Sequence, residues 1–175
     1  MSLLPLLAGL GETVAATPLS AALRTSPWAY PLLEIVHLVG LGVLFGSIVV
    51  VDLRLAGVWR SLPVTTLLPG VLPLTVAAFL AMAASGALLL AAHADELATN
   101  PALLAKLALI GIGLLNAALF HALPYRRLHR QLRGTDPGAG WNTGAAPPPG
   151  ARVAAAVSLA VWTLVIAAGR LIAYV

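Results

Sequence analysis

The sequence predicts an all-α integral membrane protein: a four-helix bundle with an N-terminal amphipathic helix lying in the membrane interface. Three observations predict it. First, the 175 residues are 60% hydrophobic and 9% charged, whereas a soluble domain carries about 45–50% apolar and about 25% charged residues. Second, four stretches each reach the roughly 20 mainly apolar residues that a membrane helix needs. Third, the long Leu, Ala and Val runs do not alternate, so the strand pattern of a transmembrane β-barrel is missing. The same composition excludes a soluble enzyme and a disordered chain. With no cysteine, a disulfide scaffold and a zinc–thiolate module are excluded as well.

Residues 1–26 come first. Pro5, Gly9, Gly11, Glu12, Pro18 and Arg24 interrupt their apolar run, which favours an interfacial segment over a fifth span. No Lys or Arg precedes that run, so it does not read as a signal peptide. Residues 27–175 form the transmembrane domain. Its spans are expected at about Tyr30–Val51, Leu68–Ala92, Pro101–Leu123 and Ala151–Val175, with Pro124 ending the third. Between the last two, residues 134–150 (GTDPGAGWNTGAAPPPG) carry Gly and Pro at a density that predicts a mobile cytoplasmic linker.

The positive charges set the orientation. Arg54 and Arg60 follow the first span; Arg126, Arg127, Arg130, Arg133 and Arg152 lie between the third and fourth. The loop HADELATN between the second and third carries Asp95 and Glu96 and no positive charge. The positive-inside rule then puts both basic loops in the cytoplasm and both termini outside. The pI near 10.4 is thus a topology signal, and no nucleic-acid partner is expected. Trp28, Tyr30 and Tyr174 at the outer boundary and Trp59 at the inner one fit an aromatic belt. In the first span Gly42 and Gly46 form a small-xxx-small step, suited to packing within the bundle or to a homodimer face.

Ionisable groups inside a span cost at least ~2.5–3.5 kcal/mol at the centre and are functional candidates by default. Glu34, His37, Lys106 and Arg170 stand out. At ~1.5 Å rise per residue, His37 lies roughly 10 Å below the outer boundary and Lys106 and Arg170 about 7–8 Å below it. Three helices thus place ionisable groups in one outer layer, either as an interior site or as cations snorkelling to the headgroups. Asp52, Arg54, Asn116, His121 and Ser158 form a second, inner layer, in which Asp52 and Arg54 are expected to mark the cytoplasmic boundary or to form an ion pair there. His121 is about 22 Å from Lys106 along the axis, too far to share a metal with His37.

Histidine on a bundle helix is the usual protein ligand of b-type haem. His37 is therefore the candidate axial ligand and metal residue, His93 a candidate second ligand, and Lys106 and Arg170 suit the propionates, with Glu34 offsetting one cation. Soft Cu(I) prefers Cys and Met; with no Cys and only Met1 and Met82, a copper relay has little to work with. No nucleophile, phosphate or zinc motif appears.

The stretches SPWAYPLLEIVHLVGLGVLFGSIVVVDLRLAG, NPALLAKLALIGIGLLNAALFH and SLAVWTLVIAAGRLIAYV resemble an uncharacterised bacterial family of four-span integral membrane proteins. More distantly, a His in the first span and the LLAKLAL opening of a later one are similar to copper resistance protein D and HemJ-type protoporphyrinogen oxidase. That likeness maps onto His37 and Lys106 and implies a haem-associated redox protein. The full HemJ signature and the methionines of a copper permease are both missing. Three functions are therefore expected in competition: a haem b electron-transfer or redox protein of the bacterial inner membrane, a non-catalytic accessory subunit of a larger membrane complex, and a copper or small-solute permease.

Overall fold

The computed structural model describes residues 3–133 and 140–175. Eight α-helices follow one another: α1 (Leu3–Ala15), α2 (Pro18–Thr25), α3 (Ala29–Ala56), α4 (Val64–Ala92), α5 (Ala94–Leu97), α6 (Pro101–Phe120), α7 (Arg126–Leu132) and α8 (Pro149–Leu171). A π-helical turn, His121–Tyr125, joins α6 to α7. Among the described residues four helices are long and apolar enough to cross a membrane: α3, α4, the continuous rod 101–132, and α8. Each expected span is present, but the third does not stop at Pro124. Proline lacks the N–H that an α-helical ladder needs, and here it sits in the wider π turn, beyond which the rod runs on to Leu132.

The bundle is arranged around α3, which packs on α4 and on α8, while α6 packs on α8. Glycines bring the helices together. A Cβ at Gly40 would stand 3.3 Å from the Ala78 carbonyl oxygen, and one at Gly113 would stand 3.2 Å from the Trp162 ring. Gly42 and Gly46 have nothing within 4 Å of such a Cβ, so that side of α3 faces out of the chain. Leu38, Leu80, Leu115 and Val153 are each at least 60% exposed. Such an apolar surface is costly in water and suits a hydrocarbon solvent.

The N-terminal segment is a pair of helices bent by 68°. Thr17 caps α2 by accepting from the Ser20 N–H at 3.3 Å, with Pro18 in the first turn. Helix α1 lies on α5 and α2 on α4, and Arg24 ties the segment down by donating to the Ala92 and Ala15 carbonyls at 3.2 and 3.0 Å. Nearby, Asn100 caps α6 through the Leu103 N–H and donates to the Ile172 and Val175 carbonyls at 3.2 and 2.6 Å.

The opposite, Arg-rich end is closed by a clamp. Arg54 is fully buried and donates from Nε to Leu62 O at 2.7 Å and from Nη2 to Asn142 O at 2.8 Å, with longer approaches to Arg60 O and Trp141 O. Asn142 in turn caps α4, accepting from the Thr65 N–H and hydroxyl at 3.0 and 3.1 Å. Trp141 is 5% exposed and packs with Leu55, Leu68, Phe120 and Leu128. Residues 140–148 of the Gly/Pro-rich segment are thus docked on the bundle, where a mobile linker was expected; residues 134–139 lie outside the described residues. Composition pointed to a linker because a single buried tryptophan and one amide supply the docking.

Candidate functional site

The outer-layer residues are held by separate neighbours. The His37 Nδ1–H donates to the Met82 carbonyl at 3.0 Å and approaches the Ser85 hydroxyl at 3.2 Å. The ring rests on α4 at Gly86, where a Cβ would stand 2.9 Å from His37 Cε1. Lys106 lies against Gly169 of α8, its Nζ 3.1 Å from a Cβ built there. Arg170 is exposed, donates to the Tyr174 hydroxyl at 2.6 Å and sits over that ring. Glu34 is exposed, and the His93 ring meets the edge of Tyr30 with centroids 5.5 Å apart. Among the described residues no group of three or more His, Asp or Glu is placed to hold a metal ion.

The inner layer is different. A cavity of about 210 Å³ lies between all four spans, lined by residues of α3 from Leu44 to Leu55, α4 from Leu68 to Phe79, the α6 rod from Leu114 to His121, and α8 from Ala154 to Trp162. It exists because α4 and α6 are not a closely packed pair; α3 and α8 stand between them. On the α4 and α6 sides Leu72, Val76 and Leu114 line it and are 40–47% exposed. The cavity is partly open, and these half-exposed residues make the α4–α6 side its candidate opening.

Asp52 is in its wall and only 5% exposed. The Ser158 hydroxyl of α8 faces the carboxyl, while Oδ2 is buried with no hydrogen-bond partner. Among the described residues no cationic side chain pairs with it. This corrects the expectation of an Asp52–Arg54 boundary pair. Two residues along a helix turn the side chain by roughly 200°, so Asp52 looks into the cavity and Arg54 looks at the clamp. His121 also lines the cavity; its Nδ1–H donates to Ala117 O at 2.9 Å, and its Nε2 is buried and unpartnered.

A second chamber adjoins the first at the Arg-rich end. It shares Asn116, Phe120 and Ala154 with the cavity and reaches Arg127, Gln131 and Trp141. The partition is tied by Asn116, whose Nδ2 donates to Ala154 O at 2.9 Å across α6 and α8. None of Glu34, His37, His93, Lys106 and Arg170 lines either chamber.

No family model, curated protein or solved structure matches the chain. The site is therefore argued from its own chemistry. A carboxyl buried in low dielectric without a counter-charge is costly unless something pairs with it. Sequence reasoning placed Asp52, Asn116, His121 and Ser158 in one inner layer but read Asp52, with Arg54, as a boundary marker. It did not include Ser47 and Thr75, which complete the wall. The signal available was depth: Asp52, Asn116 and Ser158 fall at similar distances from the Arg-rich loops on three different spans.

Proposed function

We propose that this chain is a small-solute permease of the bacterial inner membrane that holds its solute in the cavity at Asp52. Both termini lie on the outer side in this reading, because the Arg-rich loops are retained in the cytoplasm. The observation that carries it is the 5% exposed Asp52 carboxyl on the wall of a cavity of about 210 Å³ with no cation beside it among the described residues. Intramembrane ionisable groups of this kind mark substrate and ion pathways. A cavity of ~150 Å³ already admits a benzene-sized molecule. The candidate opening on the α4–α6 side and the adjoining chamber supply two approaches, one from the bilayer and one from the Arg-rich end. The π-helical turn carrying His121 lies between them, and such turns are frequent at functional sites.

The test is a thermal-stability screen of the protein in lipid nanodiscs with benzene-sized neutral, anionic and cationic solutes. At least one class is expected to raise the melting temperature, and Ile48→Trp, which fills the cavity from α3, is expected to abolish the effect. If no class stabilises the protein, the reading fails.

One observation favours the haem b reading. The Nδ1–H bond to Met82 O fixes the His37 tautomer with a bare Nε2, which makes no hydrogen bond among the described residues. This is the arrangement of a metal-ligating histidine. Set against it, Arg170 and Glu34 face outward and His93 is engaged with Tyr30, so the five residues do not surround one space. A Soret band that disappears in His37→Ala and persists in His121→Ala would establish this reading; no band after haem supplementation would remove it. The open Gly42–Gly46 side of α3 supports a helix partner there, in a homodimer or a larger membrane complex.

A further inference from the structure

The polar atoms around the cavity are unevenly used. The Ser47 hydroxyl donates to Leu44 O at 2.8 Å, and the Thr75 hydroxyl is shared between Ser47 Oγ at 2.9 Å and Val71 O at 3.0 Å. Asn116 spends an N–H on Ala154 O, and His121 spends its only N–H on Ala117 O. Ser158 lies beside Asp52. The donors are therefore largely committed to the protein. Two atoms of cavity-lining residues are left without a partner among the described residues, Asp52 Oδ2 and His121 Nε2, and both are enclosed by the surrounding side chains. Buried polar groups are normally hydrogen-bonded, so a ligand that brings donors to this end of the wall suits it.

Charge narrows the choice. The titratable groups facing the cavity are Asp52 from α3 and His121 from the α6 rod; the α4 and α8 walls contribute Thr75 and Ser158 and no charge. Arg54 does not line the cavity; its Nε and Nη2 are on backbone carbonyls and its Nη1 is buried without a partner among the described residues. One carboxyl with no cation opposite it favours a cationic ligand. A bare alkali cation needs oxygens on most sides, as hard cations do, and most of this wall is hydrocarbon with three aromatic rings, Phe79, Phe120 and Trp162. An organic ammonium brings three N–H donors on one atom and an apolar body for the rest of the wall, and aromatic faces attract it further. The candidate opening past Leu72, Val76 and Leu114 would admit such a molecule from the bilayer.

We infer that the cavity binds a compact lipophilic primary amine as its ammonium, with the nitrogen on Asp52 and the apolar body against Phe79 and Trp162. This rests on the solute reading above and names its substrate class. The experiment is calorimetry on the full chain in nanodiscs with four probes of nearly equal shape: benzylammonium, benzyl alcohol, benzoate and toluene, with sodium chloride as a fifth. Benzylammonium is expected to bind at least tenfold more tightly than benzyl alcohol or toluene, and benzoate and sodium not at all. Asp52→Asn is expected to remove that preference while leaving toluene binding unchanged, which also shows that the variant is folded. Equal binding of toluene, benzyl alcohol and benzylammonium, or a preference that survives Asp52→Asn, would overturn the amine assignment and leave the solute cavity standing. Saturable sodium binding lost in Asp52→Asn would replace it by an alkali-cation site. No binding of any probe would overturn both the assignment and the solute reading.

Discussion

Arg54→Ala should unfasten the Arg-rich end of the bundle, and the size of the effect follows from the clamp. The guanidinium is fully buried and makes two short bonds, 2.7 Å to Leu62 O and 2.8 Å to Asn142 O. The approaches to Arg60 O and Trp141 O are both 3.4 Å, near the limit of useful hydrogen bonding, and count for little. Bonds from a charged donor contribute about 1.5–3 kcal/mol each, so the two short ones amount to roughly 3–6 kcal/mol. Water entering the vacated space would restore part of this, and the buried Nη1 without a partner is no longer desolvated, leaving an expected loss of about 2–4 kcal/mol. Arg54→Lys should recover less than half, because an ammonium is a point charge without the guanidinium fork. The assay is thermal unfolding in nanodiscs alongside tryptophan emission. Trp28 and Trp59 are already 73% and 54% exposed, so replacing both by Phe leaves Trp141 and Trp162 as reporters. Release of the clamp should shift the Trp141 emission to the red at temperatures where the helices persist. An Arg54→Ala protein within about 0.5 kcal/mol of the parent, the range of ordinary surface changes, with unshifted emission, would refute the clamp.

Further outcomes follow from the same coordinates. Gly86→Ala puts a Cβ 2.9 Å from His37 Cε1, so melting should fall by about 1–3 kcal/mol, as overpacking does. Gly42→Ala meets nothing within 4 Å and should stay within about 0.5 kcal/mol of the parent in a monomeric preparation; a larger loss only in a self-associated sample would expose a helix partner there. Asn100→Ala removes the cap of α6 and the tie to Ile172 and Val175 and should cost about 1–2 kcal/mol by melting. A reporter fused after Val175 should be active only on the outer side; cytoplasmic activity would reverse the proposed topology.

Much of the fold was legible because a bilayer makes simple demands. Every backbone polar group must be satisfied within the segment, so a run of about 20 apolar residues has essentially one solution. Tyr30 and Ala92 fall within one residue of the helix ends, and Pro101 opens α6 as expected because Asn100 ahead of it supplies the cap. What did not follow was local detail that pattern alone leaves open. Pro124 reads as a stop when the only alternatives are α-helix and coil, and the π turn is neither. Trp141 and Asn142 sit in a Gly/Pro-rich stretch, and their docking depends on Arg54, which is far away in sequence.

The candidate site was legible in depth but not in direction. Helical rise fixes how far along the bundle a residue lies, and it divides the polar residues into two layers. It says nothing about which helices stand next to one another. The outer layer looked like a site because three spans contribute to it at one depth, yet Arg170 turns out to Tyr174 while Lys106 turns to Gly169. The inner layer looked like a boundary because Asp52 and Arg54 are two residues apart, a spacing that sends them to different faces. The fact that distinguishes the layers is the gap between α4 and α6, produced by the packing of α3 on both α4 and α8. That gap turns Asp52, Ser158 and His121 from scattered polar residues into the wall of one chamber. A buried carboxyl in a packed core would have to be matched by the protein itself. A buried carboxyl on the wall of a chamber can instead be matched by what enters, and that is the basis for assigning it a cationic donor.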